Sequence, residues 1–501
     1  MDKLLIGFAE ESLVSDKRIR LYGQFYERIS EYVESEITAT AMAVSSGKEE
    51  MILVSADLTG APTFLMDIIR KKFAAMTDEI SPEKLIVTAT HTHTSHTIKM
   101  ANSELLLTTK SILSEFMSED KEYKELVTAD ENVLDPLEAT ELVSDKIALA
   151  AYRAWKARRP SYIVNDFGRA VVGMCRRVTY SDGSAEMWGD TNRADFEALE
   201  GGNDSGIELL YVFDCDKKLS GIVANIACPS QILEHRSFVS ADYWGRAKAN
   251  IRDRLGENIF LVGLGGAGGD QCPRDLVRWV HPKSELNDPT ISRPHLIERK
   301  ADPSMFDIEG CNRAGKRISN EIISVYEELN MDRLTDEAPF VHKVRKLDLP
   351  LRKATHAEYE HAVREIEYYV KKNEDKPTFD YSDNAKMYVN AGTIKRYREQ
   401  QFNEVYPIEY HSVRLGNIAI VTNPFELFLD FGNRIKARSY AEQTFVVQLA
   451  CGAGGYLPTA KAEMAGHYSA YITSGNVGHE GGDLLVREQL RDIWEMFEEN
   501  R

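Results

Sequence analysis

Apolar, β-branched runs at residues 51–58, 84–90, 206–214 and 219–226 alternate with helical spacing at 62–76 and 142–158. Continuous apolar runs of this length suit strands covered on both faces, and their alternation with helices predicts an α/β body. Between residues 278 and 401 the pattern turns more polar: a proline-broken loop at 281–303, a helix near 304–330, and a charged helix at 354–372. Tyr359, Tyr368 and Tyr369 form a stripe on that last helix, which reads as packing. The segment is expected to be a helical insertion on a single domain spanning residues 1–501. Beyond it, 409–415 and 418–422 flank Gly416-Asn417 as a hairpin, and 481–498 has the spacing of an amphipathic helix. The pattern shows no internal repeat.

Composition narrows the partners. A 501-residue chain of 56.6 kDa can bury a large core. A formal charge of −18 and a pI near 5.3 argue against nucleic acid and anionic membranes, which both need a basic surface. The N-terminal apolar stretch is too short for a secretion signal, and no apolar run is long enough to span a bilayer. Six cysteines without regular spacing fit a reduced, cytoplasmic protein.

Candidate chemistry begins at Ala89-Thr90-His91-Thr92-His93-Thr94-Ser95-His96-Thr97, directly after the strand predicted at 84–90. Side chains alternate along a strand, so His91 and His93 are expected to share a face. Alone, the pair suits a metal site and a hydrogen-bonded strand end equally. Four other segments carry polar residues where a core would not choose them: Ala227-Cys228-Pro229-Ser230-Gln231-Ile232-Leu233-Glu234-His235, the glycine-rich run from Gly263 to Asp270-Gln271-Cys272-Pro273-Arg274, Asn423-Pro424-Phe425-Glu426, and Gly454-Gly455-Tyr456-Leu457-Pro458-Thr459 with Gly466-His467-Tyr468. The glycine run lacks the spacing of a nucleotide-binding loop.

In order and spacing these segments resemble the neutral ceramidase family of zinc-dependent amidases. Ala89–His93 matches the family's ATHTH strand end, and Cys228-Pro229 stands at its His-Pro pair, with Asp242 fourteen residues on. Gly269–Arg274 matches GDVSPN, Pro424-Phe425-Glu426 matches PGE, and Tyr456 with Tyr468 matches the closing tyrosine motif. The collinear set runs from about residue 6 to 488, with 278–401 poorly matched. The resemblance implies a large α/β catalytic domain with a mixed β-sheet flanked by helices. It also implies Zn2+ held by His91, the residue at 228, Glu426 and Tyr456, with His235 as a second candidate for the position that Cys228 takes.

His93, Arg176 and Tyr468 would then line the site and handle the scissile carbonyl and leaving group, with a metal-activated water as nucleophile. Asp270 falls in the GDVSPN match. Cys272 replaces that motif's serine and reads as a packed bystander, with a nucleophilic thiolate as the alternative. The protein is expected to lack the family's export signal and C-terminal β-sandwich. The expected substrate is therefore a soluble small molecule bearing an amide or related bond, with no membrane and no nucleic acid as partner. Hydrolysis of a glycosidic or ester bond and a degenerate binding protein are the rival readings.

Overall fold

The computed structural model describes residues 2–101, 107–125, 127–277 and 306–498. Its body is one arrangement made three times. In the first unit, strand Leu5–Ser12 pairs antiparallel with Thr38–Ser46, which forms a hairpin with Glu49–Ala56; helix Thr63–Met76 then returns the chain to Leu85–Ala89, parallel to the hairpin's second strand. The second unit repeats this order with Tyr162–Arg169, Gly206–Phe213, Leu219–Ile226, helix Asp242–Leu255 and Phe260–Gly265. The third uses Phe340–Pro350, Val405–Leu415, Ile418–Thr422, helix Leu429–Arg438 and Gln443–Val447. Pro136–Lys156, Ile308–Glu327 and His479–Glu498 add a second helix to each unit in turn.

The second and third units have apolar clusters of their own, seen in Leu209, Ile251 and Ile318 and in Val421, Phe431 and Ile493, whereas Ile52, Leu65 and Ile147 of the first belong to a cluster that also takes in Val223 and Leu264 of the second and Val413 and Phe445 of the third. The runs at 51–58 and 219–226 are apolar because these strands lie between neighbouring layers and have no solvent face. The final strands of the three units meet at their carboxyl ends. The Ala89 amide donates to Leu449 O at 3.2 Å, and the Gln448 amide donates to Gly265 O at 3.0 Å. The loops that leave those strands therefore share one location.

Two expectations are corrected. The chain does contain a repeat, because burial demands only that the same positions be apolar, and each unit meets that demand with different residues. Helix Ile308–Glu327 and strand Phe340–Pro350 belong to the body and not to an insertion. The satellite narrows to helices His356–Lys372 and Tyr381–Glu399 packed with Thr109–Glu115, around Ile112, Ile366 and Ile394. Tyr359 stacks on Tyr397 with ring centres 4.4 Å apart, as packing predicts, whereas Tyr368 is exposed. The loop read at 281–303 lies outside the described residues. No helix among the described residues is long and apolar enough to cross a membrane.

Candidate metal centre

Strand Leu85–Ala89 is wholly buried and stops before the histidines. His91 has a φ of 69°, in the left-handed region, so strand alternation does not orient the pair. The turn brings the rings together anyway, edge to face with centres 4.9 Å apart. His91 Nδ1 lies 2.8 Å from Thr59 O, a group that can only accept, so this nitrogen carries a proton and Nε2 is the nitrogen turned to the pocket. That Nε2 is 3.4 Å from His93 Nε2 and 3.4 Å from Glu426 Oε2. The third histidine of the motif, His96, donates from Nε2 to Leu13 O at 2.7 Å and ties two loops together.

Glu426 arrives by register. The short strands Phe425–Leu427 and Gly455–Leu457 run parallel with Glu426 opposite Tyr456, so carboxylate and phenol emerge side by side. Gly269 permits this approach, since a Cβ there would lie 2.3 Å from Glu426 O. Arg176 is buried behind them, its Nη2 donating to Tyr456 Oη at 3.1 Å and Gly269 O at 2.8 Å. Tyr468 meets Tyr456 edge to face at 5.6 Å between ring centres. The glycine-rich run thus serves close backbone packing and places Arg176.

Charge in the pocket follows from burial and neighbours. Burial works against ionising Glu426, yet His91 and Arg176 hold its carboxyl below the usual range. Burial likewise opposes protonation of His91, and Glu426 outweighs it and raises the pKa. His93 is pushed down by burial and by the positive groups around it. Burial pushes Tyr468 up to about 12 and Tyr456 well above the ordinary phenol value, so both phenols keep their protons at neutral pH.

Four predicted residues sit differently from the rest. Cys228 lies in the apolar cluster with Ile226, Leu233 and Tyr243, its Sγ 3.5 Å from Pro229 O. Cys272 directs Sγ to Arg274 O at 3.3 Å, and burial raises its thiol to about 12. Asp270 accepts the Leu429 amide at 2.9 Å, closing the first turn of helix Leu429–Arg438, while its backbone carbonyl takes the Arg176 amide at 2.9 Å. His235 rests on the Phe306 ring, centres 4.9 Å apart. The residue that sequence reasoning passed over is Glu234, whose Oε2 lies 3.6 Å from His93 Nδ1. Its place between Leu233 and a candidate histidine, in a segment already singled out for its polar residues, was the available signal. Burial raises its carboxyl to about 7.

The acceptors fit a metal ion. Ligand atoms about 2.0–2.1 Å from a tetrahedral zinc lie about 3.3–3.4 Å apart, the spacing between His91 Nε2 and Glu426 Oε2, and Tyr456 stands opposite Glu426 in the strand register. Beside them opens a cavity of about 350 Å³, lined by Leu58, Pro62, Phe64, Ile98 and Leu449, with Tyr22 at its rim. His91, Leu449, Cys451, His467 and Ser469 all have positive φ, a concentration of strain typical of functional sites.

Compared by structure, the chain is similar over its full length to the crystal structure of neutral ceramidase from Pseudomonas aeruginosa, with a TM-score of 0.67, 14% identity and 75% of that chain covered. The chain has the neutral ceramidase fold. A ceramidase complexed with C2 is similar at a TM-score of 0.65 and 12% identity, again over the whole chain and 76% of the other. By sequence, no protein-family profile and no curated protein matches. The neutral ceramidase fold thus carries the α/β architecture expected from the alternation of apolar runs.

Proposed function

We propose that this protein is a zinc-dependent hydrolase that cleaves an amide or related bond in a small molecule with one apolar portion. The observation that carries the reading is His91 Nε2 at 3.4 Å from Glu426 Oε2, in a pocket where Tyr456 stands next to that carboxylate and His93 next to that imidazole. Zinc bound there would polarise a carbonyl and bring the pKa of water toward neutrality. Arg176, permanently charged, stabilises negative charge on the carbonyl oxygen as the carbon becomes tetrahedral. Tyr468, protonated at neutral pH, donates a hydrogen bond to the same oxygen or to the leaving nitrogen. The apolar cavity takes the substrate's hydrocarbon part and excludes water from that side. Cys272 has no place in the bond-breaking step, because its thiol stays protonated and points at a backbone carbonyl.

Metal analysis of the purified protein, joined to a screen of amide, ester and glycoside substrates, tests this reading. One zinc per chain and turnover of an amide that carries an apolar acyl group are expected. Absence of bound zinc, or activity untouched by chelation, would overturn it.

A further inference from the structure

Arg177 is wholly buried, and its guanidinium is directed at one turn. It opens strand Arg177–Tyr180, where Met187 stands opposite it in the hairpin. Nε and Nη2 donate to Glu200 Oε2 and Oε1 at 2.6 and 3.0 Å, a two-pronged pair whose side chains are 0% and 4% exposed. Two further bonds leave the pair: Nη2 donates to Gly466 O at 2.7 Å and Nη1 to Tyr468 O at 2.9 Å. The Met187 amide donates to His467 Nδ1 at 2.9 Å, so the register of one hairpin ties residues 466, 467 and 468 in succession. That turn needs outside support. Gly466, His467 and Ser469 have φ of 73°, 71° and 70°, and a left-handed backbone at residues with side chains persists only where its surroundings impose it.

We propose that Arg177, held by Glu200, is the positioning residue for the Tyr468 phenol. The proposal rests on the hydrolase reading above, in which that phenol donates to the carbonyl oxygen or to the leaving nitrogen. Fixing the carbonyls of residues 466 and 468 brackets the Cα of Tyr468 and sets where its ring enters the pocket, edge to face with Tyr456. Neighbouring residues divide the two phenols between them. Arg176 reaches the Tyr456 hydroxyl itself, with Nη2 at 3.1 Å, while Arg177 holds the main chain that carries Tyr468. Glu200 fixes the plane of the guanidinium, and its own amide donates to Arg177 O at 2.9 Å, so the pair is set before a substrate arrives. A planar fork can serve a carboxylate and two carbonyls at once, whereas an ammonium offers a single nitrogen to all three. Arg177 bonds to the backbone of the turn and not to the phenol, so its effect on the reaction runs through Tyr468.

The test uses the full chain, with octanoyl p-nitroanilide as the amide and folding checked by circular dichroism. Arg177→Lys keeps the charge and loses the fork; kcat is expected to fall about 10- to 100-fold while KM stays within about twofold, because a small misplacement of a reacting group is enough. Arg177→Met combined with Glu200→Gln leaves no buried charge without a partner, which guards against misfolding, and should show the same loss. In a Tyr468→Phe background Arg177→Lys should have no further effect on kcat, whereas a general weakening of the fold would add its full loss to that of the first variant. Zinc content should match that of the wild type throughout. Amide hydrogen exchange gives a readout that needs no turnover: residues 466–470 should exchange about tenfold faster or more in both variants, with strand Leu219–Ile226 unchanged. Wild-type exchange at the turn, or a full further loss of kcat in the Tyr468→Phe background, would overturn the proposal alone. A wild-type protein that cleaves no amide would overturn the hydrolase reading and the proposal with it.

Discussion

Around His91 and around His411 the chain builds two clusters from the same kinds of residue, and they differ in what supplies the positive charge. On strand Val405–Leu415, Glu409 and His411 share a face by ordinary alternation, and Cys451 brings its sulfur to them, with ligand-type atoms all within 4.8 Å. Arg70 fills this second cluster, its Nη2 and Nη1 donating to the two Glu409 oxygens at 2.6 and 3.0 Å. His342 Nδ1 meets Glu50 O at 3.0 Å and its Nε2 meets His411 Nδ1 at 2.9 Å, while His411 Nε2 meets Glu409 Oε1 at 3.0 Å. A guanidinium and a chain of hydrogen bonds thus satisfy every member. At His91 no guanidinium among the described residues bonds the carboxylate directly: Glu426 Oε2 faces His91 Nε2 at 3.4 Å, and Arg176 donates to Tyr456 Oη and Gly269 O. In the zinc reading, the Arg70 guanidinium takes at Glu409 the place that the metal would take at Glu426.

The sharpest test of this contrast is metal content. His91→Ala or Glu426→Ala is expected to lose most of the bound zinc, whereas His411→Ala should keep the wild-type stoichiometry, as read by metal analysis of the folded protein. Zinc lost from His411→Ala and kept in His91→Ala would reverse the assignment of the two clusters.

Stability should show the opposite ranking. Arg70→Ala strands the Glu409 carboxylate away from its partner and is expected to cost about 3–5 kcal/mol in denaturant unfolding, with metal stoichiometry unchanged. A variant as stable as wild type would mean that the guanidinium is dispensable.

Acid sharpens the comparison further. Burial works against ionising Glu409, but the hydrogen bonds from His411 and Arg70 prevail and hold its carboxyl from 4.5 down to about 2. A depressed carboxyl contributes stability that is fully present above its unfolded pKa and is lost as the pH falls through the folded one. This group contributes up to about 3 kcal/mol, lost between pH about 4.5 and about 2. In Glu409→Gln that part of the acid limb should flatten, and an unchanged slope would rule out Glu409 as its source.

The smallest effect is expected at Cys272. Cys272→Ser should retain activity within about tenfold and give no covalent adduct during turnover, since no nucleophile is removed. A dead variant, or an acyl group on Cys272 by mass spectrometry, would restore the thiol mechanism.

Where the apolar pattern alone decides, sequence and structure agree: the runs at 51–58, 206–214 and 219–226 became Glu49–Ala56, Gly206–Phe213 and Leu219–Ile226. The threefold repetition was hidden because it lies in pairing order, which leaves no trace in residue identity. The left-handed turn at His91 was hidden too, since a β-branched run gives no notice of where a strand stops. His235 drew attention as a ligand type, but its neighbour Glu234 faces His93, and which of two adjacent residues faces a pocket depends on a loop anchored from Asp242. Cys228 was conspicuous by its motif position and turned out to lie in an apolar cluster.

The three units have a consequence for how the chain folds. The second and third have apolar clusters of their own within local hairpins and crossovers, while the cluster of the first also takes in strands of the other two and is complete only when they dock. The centre is not local in this sense: its histidines come from the first unit, Arg176 and Glu234 from the second, and Glu426, Tyr456 and Tyr468 from the third. A chain with one or two units formed holds no complete set of ligands. In the zinc reading, metal affinity is expected to develop only with the last docking event, and the rate at which a refolding chain begins to retain metal would report that event, separately from the earlier gain of secondary structure.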